Sequence, residues 1–280
     1  FKLDVQYGKT AEMVTRLIAE GDQSPADVIF AQDSGHLGVL AARDVLAPLP
    51  ENIVSQVDAR FADPHGKWVG TSGRLRVLVY NSEKLNEESL PKSIEELADP
   101  KWKGRIGWAP TNGSLHAHLG ALRHAWGEEK TKEWLTAVQA NEPMRYPKNS
   151  PQVAAANEGT LDIGWVNHYY LHRLEKEGRV AKNWSFPNAG DVGNVLMVAG
   201  AGIRKNSKNK QAAEAFINWL LTQDSQNYFA QEGFEYPTRP GIKTHPDVSP
   251  LGPDQLATVD QAHLADLGPT REMLTALGLL

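Results

Sequence analysis

The sequence predicts an α/β chain of two lobes, and three observations carry that prediction. The length is 280 residues, which at ~150 residues per domain gives about two domains. The opening alternates strand-like and helical patterns in a β-α-β-α order, the arrangement of an α/β sheet. Short apolar runs such as Asp27-Val28-Ile29-Phe30-Ala31 and Ile106-Gly107-Trp108-Ala109 recur between helical segments, as buried strands do.

The elements follow in order. Phe1, Leu3 and Val5 alternate with Lys2, Asp4 and Gln6, a period of two that predicts a strand. Gly8 breaks it and Thr10 can cap a helix, in which Ala11, Val14, Leu17 and Ile18 share one face until Gly21. Residues 27–31 read as a buried parallel strand and 34–46 as a helix. Residues 67–81 read as two extended segments around a break at Thr71-Ser72-Gly73, with Val77, Leu78, Val79 and Tyr80 making the second β-rich. Ser93 and Glu96 have the spacing of a capping box. The strand at 106–109 runs into Pro110-Thr111-Asn112-Gly113-Ser114, a helix to about 125 and another over 128–140. Residues 161–166 predict a strand, 170–178 a helix and 195–198 a strand. The clearest helix spans 209–231, with Ala213, Phe216, Ile217, Leu220 and Leu221 in one stripe. A Pro/Gly loop over 236–253 and a helical tail close the chain.

Composition removes several classes. The chain is 41% hydrophobic and 22% charged, ordinary for a globular protein. Lys and Arg number 29 against 34 Asp and Glu, a net charge of −5, which speaks against a general nucleic-acid binder. There is no cysteine, so disulfides, zinc–thiolate sites, iron–sulfur clusters and cysteine nucleophiles are excluded. That fits the cytosol or a bacterial exterior equally. No apolar run approaches the ~18 residues that span a membrane. The opening at Phe1, inside a strand-like run, fits either a mature N-terminus or a missing segment.

Three constellations stand out. Asn167-His168-Tyr169-Tyr170 follows a strand, where α/β sheets bind ligands. At a strand-to-helix turn both tyrosines can converge, and phenolate oxygen is a hard donor suited to Fe(III); alternatively the pair simply packs as aromatics. The 110–114 loop lies between a strand and a helix, whose N-terminus favours anions; Asn112 or Ser114 can equally serve only as an N-cap. Arg74 in Ser72-Gly73-Arg74 can fork onto an anion or lie exposed in a turn. The nine histidines include no His-Glu-x-x-His zinc motif. His116 and His118 do not share a helix face; His168 and His172 can, but lack a third ligand nearby in sequence, and surface or supporting roles are expected. No Gly-x-Ser-x-Gly elbow, Walker loop or Gly-x-Gly-x-x-Gly occurs, so an enzyme would lack a visible nucleophile or cofactor cradle.

Several stretches together resemble the bacterial periplasmic ferric-iron-binding proteins of ABC transporters. They are Ser24-Pro25-Ala26-Asp27-Val28, Ser72-Gly73-Arg74 with 77–80, and Pro100-Lys101-Trp102-Lys103-Gly104-Arg105-Ile106-Gly107. They continue through Pro110-Thr111-Asn112-Gly113, Tyr146-Pro147-Lys148-Asn149-Ser150, Asn167-His168-Tyr169-Tyr170 and Glu235-Tyr236-Pro237, in the family's order over nearly the whole chain. The resemblance implies a type II periplasmic-binding-protein-like fold, α/β and two-lobed, with hinge strands crossing near 75–80 and returning near 200. Residues 1–75 with 200–250 would form the N-lobe; residues 76–199 with 251–280 would form the C-lobe and C-terminal helical tail. It implies no catalysis: the lobes would close on Fe(III) and deliver it to an inner-membrane ABC permease. Tyr169 and Tyr170 carry over as metal ligands. A synergistic anion, carbonate or phosphate, would sit on Asn112, Gly113 and Ser114, helped by Asn149, Asn167 and Arg74. A monomer is implied, periplasmic, or extracellular and membrane-anchored in a Gram-positive.

Two departures bear on the ligand set. Where some members place a glutamate ligand, this chain has Gln32 followed by Asp33; an amide is a poor Fe(III) ligand, so Asp33 substitutes or the anion and water complete the site. Family members also begin with a further strand and helix of roughly 25–30 residues, often supplying a His or Tyr ligand, and Phe1–Gly8 matches their second strand. A binder of a phosphonate, thiamine or a polyamine on the same fold is the alternative, with an enzyme built on Asp33, His116 and Tyr169 behind it.

Overall fold

The computed structural model describes residues 2–250, 252–259, 264 and 267–280. In chain order the helices are α1 (Thr10–Glu20), α2 (Ser34–Ala42), α3 (Glu51–Val54), α4 (Gly113–Trp126), α5 (Glu128–Ala140), α6 (Asn149–Asn157), α7 (Lys210–Leu220), α8 (Gln223–Gln231) and α9 (Leu267–Ala276). The strands are β1 (Val28–Ala31), β2 (Val69–Asn81), β3 (Ile106–Trp108), β4 (Met144–Arg145), β5 (Ile163–Asn167), β6 (Ala181–Trp184), β7 (Leu196–Ile203) and β8 (Tyr236–Pro237). The chain divides into two compact units, Phe1–Gly73 with Met197–His245 and Arg74–Leu196 with Pro246–Leu280. β2 and β7 each run from one unit into the other.

In the first unit β1 pairs antiparallel with β7, Val28 facing Ile203 and Ala31 facing Gly200. The apolar run at 27–31 is therefore not a parallel strand: its partner is a later strand running the opposite way, not the next one in a βαβ unit. It is also not fully buried, since Phe30 is 46% exposed. The alternating opening forms no strand among the described residues (Phe1 lies outside them): residues 2–9 are irregular and Leu3 and Val5 are exposed. Alternation becomes a strand only with a ladder partner and a covered face. Residues 67–81 hold a single strand, not two segments. Ser72 and Gly73 pair with Pro237 and Tyr236, and Thr71 Oγ1 donates to the Ala199 carbonyl at 3.2 Å, so the small polar residues are drawn into the ladder. α2 stops at Ala42 rather than 46. The predicted 209–231 helix is two, because Thr222 ends one and caps the next by accepting from the Ser225 amide at 3.3 Å; Phe216 is only half-buried.

The second unit holds the parallel ladders. β3 lies between β4 and β5, parallel to both, and β2 and β6 extend the sheet antiparallel. Trp102, Trp108, Trp165, Leu115, Leu119 and Ile163 anchor its core. Gly164 lets α6 approach β5 closely: a Cβ there would meet Val79 Cγ1 at 2.9 Å and Gln152 Cβ at 3.1 Å. Ser93 makes no cap bond with its side chain, and a 3-10 helix, Ile94–Ala98, follows it. In place of a helix over 170–178, a 3-10 helix covers His168–Arg173. The C-terminal tail is helical over Leu267–Ala276; residues 251, 260–263, 265 and 266 of the region expected in the C-lobe lie outside the described residues.

Candidate functional site

Because β3, β4 and β5 are parallel, their carboxyl ends share one edge of the second unit's sheet, the edge where α/β sheets bind ligands. Three segments leave it. After β3 comes the loop to α4, carrying Asn112, Gly113 and Ser114; after β4, the start of α6 at Asn149; after β5, the 3-10 helix bearing Tyr169 and Tyr170. Antiparallel β2 enters at the same edge, with Arg76 directly opposite Asn167, so the two side chains lie on one face.

The tyrosines meet because of the 3-10 turn. Successive residues of a straight strand face opposite ways, whereas ~3 residues per turn set neighbours only about 120° apart, near enough for the two rings to meet. Their ring centroids are 4.6 Å apart, tilted by 36°, and their hydroxyls hydrogen-bond to each other. Burial pushes the Tyr169 phenol up, while the nearby Arg74 guanidinium and the amide of Asn167 pull it down. Asn167 Nδ2 donates to the Tyr169 hydroxyl at 3.2 Å and to Ser114 Oγ at 3.4 Å. The guanidinium of exposed Arg173 lies over both rings, 5.1 Å from Tyr169 and 4.6 Å from Tyr170.

Asn112 is the N-cap of α4: its Oδ1 accepts from the amides of Ser114 at 3.0 Å and Leu115 at 3.3 Å. Gly113 is exposed, and a Cβ there would meet nothing within 4 Å. Arg74 is half-buried, with its Nε enclosed and without a hydrogen-bond partner. Asn149 is 1% exposed, and its Nδ2 is likewise buried without a partner. Orphan donors at one edge suit a ligand made of acceptor atoms.

Arg76 is the residue that sequence reasoning missed. It is 1% exposed. Its Nη1 donates to Asn149 Oδ1 at 3.3 Å and Asn167 Oδ1 at 3.1 Å, and its Nη2 to the Trp165 carbonyl at 2.7 Å. Burial lowers its pKa to about 9, which leaves it charged at neutral pH. The available signal was an arginine inside the apolar run Leu75-Arg76-Val77-Leu78, since a buried charge demands built partners.

Gln32 and Asp33 belong to the first unit. Gln32 is exposed. Asp33 caps α2, accepting from the His36 amide at 2.9 Å, and contacts His36 Nδ1 at 2.6 Å. The histidines are not surface groups throughout. His168 is buried and its Nδ1 accepts from the Leu75 amide at 3.1 Å. His116 bonds the Pro110 carbonyl at 2.6 Å, and His118 accepts from Trp165 Nε1 at 3.1 Å. Among the described residues no three His, Asp or Glu side chains could jointly hold a metal.

Comparison with known proteins agrees with this architecture. A family model described as bacterial extracellular solute-binding protein matches residues 23–257. The Fe(3+)-binding periplasmic protein of Serratia marcescens is 32% identical, the alignment covering 100% of this chain and 83% of that protein. The major ferric iron-binding protein of Neisseria meningitidis serogroup A is 30% identical, with 99% and 85% covered. Iron-bound HitA from Pseudomonas aeruginosa superposes with a TM-score of 0.90 at 30% identity, covering 100% of this chain and 91% of that one. A Trichodesmium protein in complex with iron and citrate gives 0.85 at 26% identity, covering 98% and 90%.

Proposed function

The chain belongs to the bacterial extracellular solute-binding proteins, and from that premise we propose that it captures Fe(III) together with an oxyanion and delivers the metal to an ABC permease. The observation that carries this is the tyrosine pair: two adjacent phenols, 4.6 Å between ring centroids, beside the donors of Asn167, Asn149 and Arg74. Phenolate oxygens are hard donors matched to a hard trivalent cation, and the cation's charge would draw their protons off. Two phenolates offset two of its three charges. An oxyanion, carbonate or phosphate, would offset the rest while accepting from Asn149, Arg74, the Gly113 amide and the Ser114 hydroxyl. Such relatives as the Serratia protein are named as periplasmic, and the same compartment is proposed for this chain. Among the described residues no helix is long and apolar enough to cross a membrane.

The guanidinium groups of Arg74, Arg76 and Arg173 around this edge favour the oxyanion, whereas a polyamine or thiamine would bring positive charge with no anion to offset it. The test is a competition titration of ferric iron against a chelator. Tyr169→Phe and Tyr170→Phe each lower apparent ferric affinity at least a hundredfold while leaving the thermal midpoint within a few degrees. Both variants binding like the parent would overturn the assignment.

A further inference from the structure

An amide side chain has one acceptor oxygen and one donor nitrogen, so fixing the oxygen fixes what the nitrogen presents. Arg76 Nη1 holds the oxygens of both Asn149 and Asn167, at 3.3 and 3.1 Å. Both NH2 groups must therefore face away from the guanidinium. That of Asn167 reaches the Tyr169 hydroxyl and Ser114 Oγ; that of Asn149 is buried with no partner. Turning either amide over would set N–H against N–H and discard a charge-assisted bond. The third anchor, from Nη2 to the Trp165 carbonyl at 2.7 Å, fixes the guanidinium plane itself. None of these acceptors is a carboxylate, so the positive charge is not cancelled locally.

We propose that Arg76 is the specificity-determining positioning residue of this edge: by holding the oxygens of Asn149 and Asn167 it turns both NH2 groups toward the anion position, so that this position admits oxyanions and rejects ligands that place a donor there. The proposal rests on the reading of this edge as an oxyanion site, and it can fail independently of the ferric assignment.

The experiment is a calorimetric titration of the iron-free full chain with inorganic phosphate and with bicarbonate, using the parent, Arg76→Lys and Asn149→Asp. Thermal unfolding accompanies each. Lysine keeps the charge but cannot fork onto three acceptors, so Arg76→Lys loses at least tenfold in oxyanion affinity. Asn149→Asp is expected to fold well, because its carboxylate pairs with Arg76 and stands at the start of α6, where negative charge is favoured. Yet it replaces the outward donor with an acceptor, and oxyanion affinity falls at least a hundredfold. A role confined to packing would lower the unfolding midpoint of Arg76→Lys and leave Asn149→Asp binding like the parent. Should Arg76→Lys not fold, Asn149→Asp decides alone. A parent that binds neither anion, or a folded Asn149→Asp within threefold of the parent, overturns the proposal. A parent that binds phosphate but develops no ferric colour contradicts the ferric reading and leaves this one standing.

Discussion

Arg76 carries a charge into the core of the second unit, and a neighbour shows what that does. His118 is fully buried, and burial, with the Arg76 charge adding to it, lowers its pKa from 6.5 to about 3. Its ring is neutral, accepting from Trp165 and facing the Val192 carbonyl at 3.2 Å. Between those two pKa values the unfolded chain binds a proton that the folded chain refuses, so stability rises with pH across that window and is lost as pH falls from about 6.5 toward 3. His118→Gln, which does not titrate, removes that contribution, up to about 1.4 kcal/mol per pH unit. Thermal midpoints from pH 7 to 4 should fall less steeply in the variant; parallel profiles would contradict the assignment of His118 as a neutral buried group. At this scale the sequence was only partly readable. Tyr169 and Tyr170 announce themselves as an adjacent pair after a strand, and Asn112 as a cap. Arg76 is hidden, because its meaning lies in Asn149 and Asn167, far along the chain and joined to it only by the sheet. Ser93 misled, since the capping-box spacing was present but a 3-10 turn followed.

The elements place the site through parallel ladders of very short strands. β3 has three residues, β4 two and β5 five, so their carboxyl ends, and the segments that leave them, converge. Gly164 is the hinge of this packing in the sense of clearance alone: α6 rests on β5 there, and Trp165 N–H donates to Gln152 Oε1 at 3.0 Å. Gly164→Ala would set a Cβ 2.9 Å from Val79 Cγ1, and overpacking of this kind costs about 1–3 kcal/mol. The variant should unfold at a lower temperature and, by pushing Asn149 from Asn167, weaken phosphate binding as well; unchanged values of both would show that the close contact does not support the site. Strands with both flanks apolar, such as β3 and β5, and helices with one stripe, such as α5, were legible from periodicity. Strand direction at β1 was not, because a short apolar run has the same pattern whichever way its partner runs. The break between α7 and α8 was not either, because the cap at Thr222 lies inside an otherwise continuous amphipathic pattern.

For the whole molecule, the net charge of −5 contrasts with the three guanidinium groups, Arg74, Arg76 and Arg173, that stand at the site edge. Local charge, not the overall balance, selects the ligand at short range. The chain binds its solute without rearranging covalent bonds, so its performance is a matter of affinity and release. The central claim is that Tyr169 and Tyr170 ligate ferric iron as phenolates with an oxyanion alongside. The measurement that tests it most directly is a visible absorption titration of the full chain with ferric citrate, with and without phosphate or bicarbonate. The account predicts a phenolate-to-Fe(III) charge-transfer band that saturates at one metal per chain, strengthens with the anion and is lost in the double variant Tyr169→Phe, Tyr170→Phe. A protein that stays colourless under all these conditions, or one whose band survives the loss of both tyrosines, would contradict it.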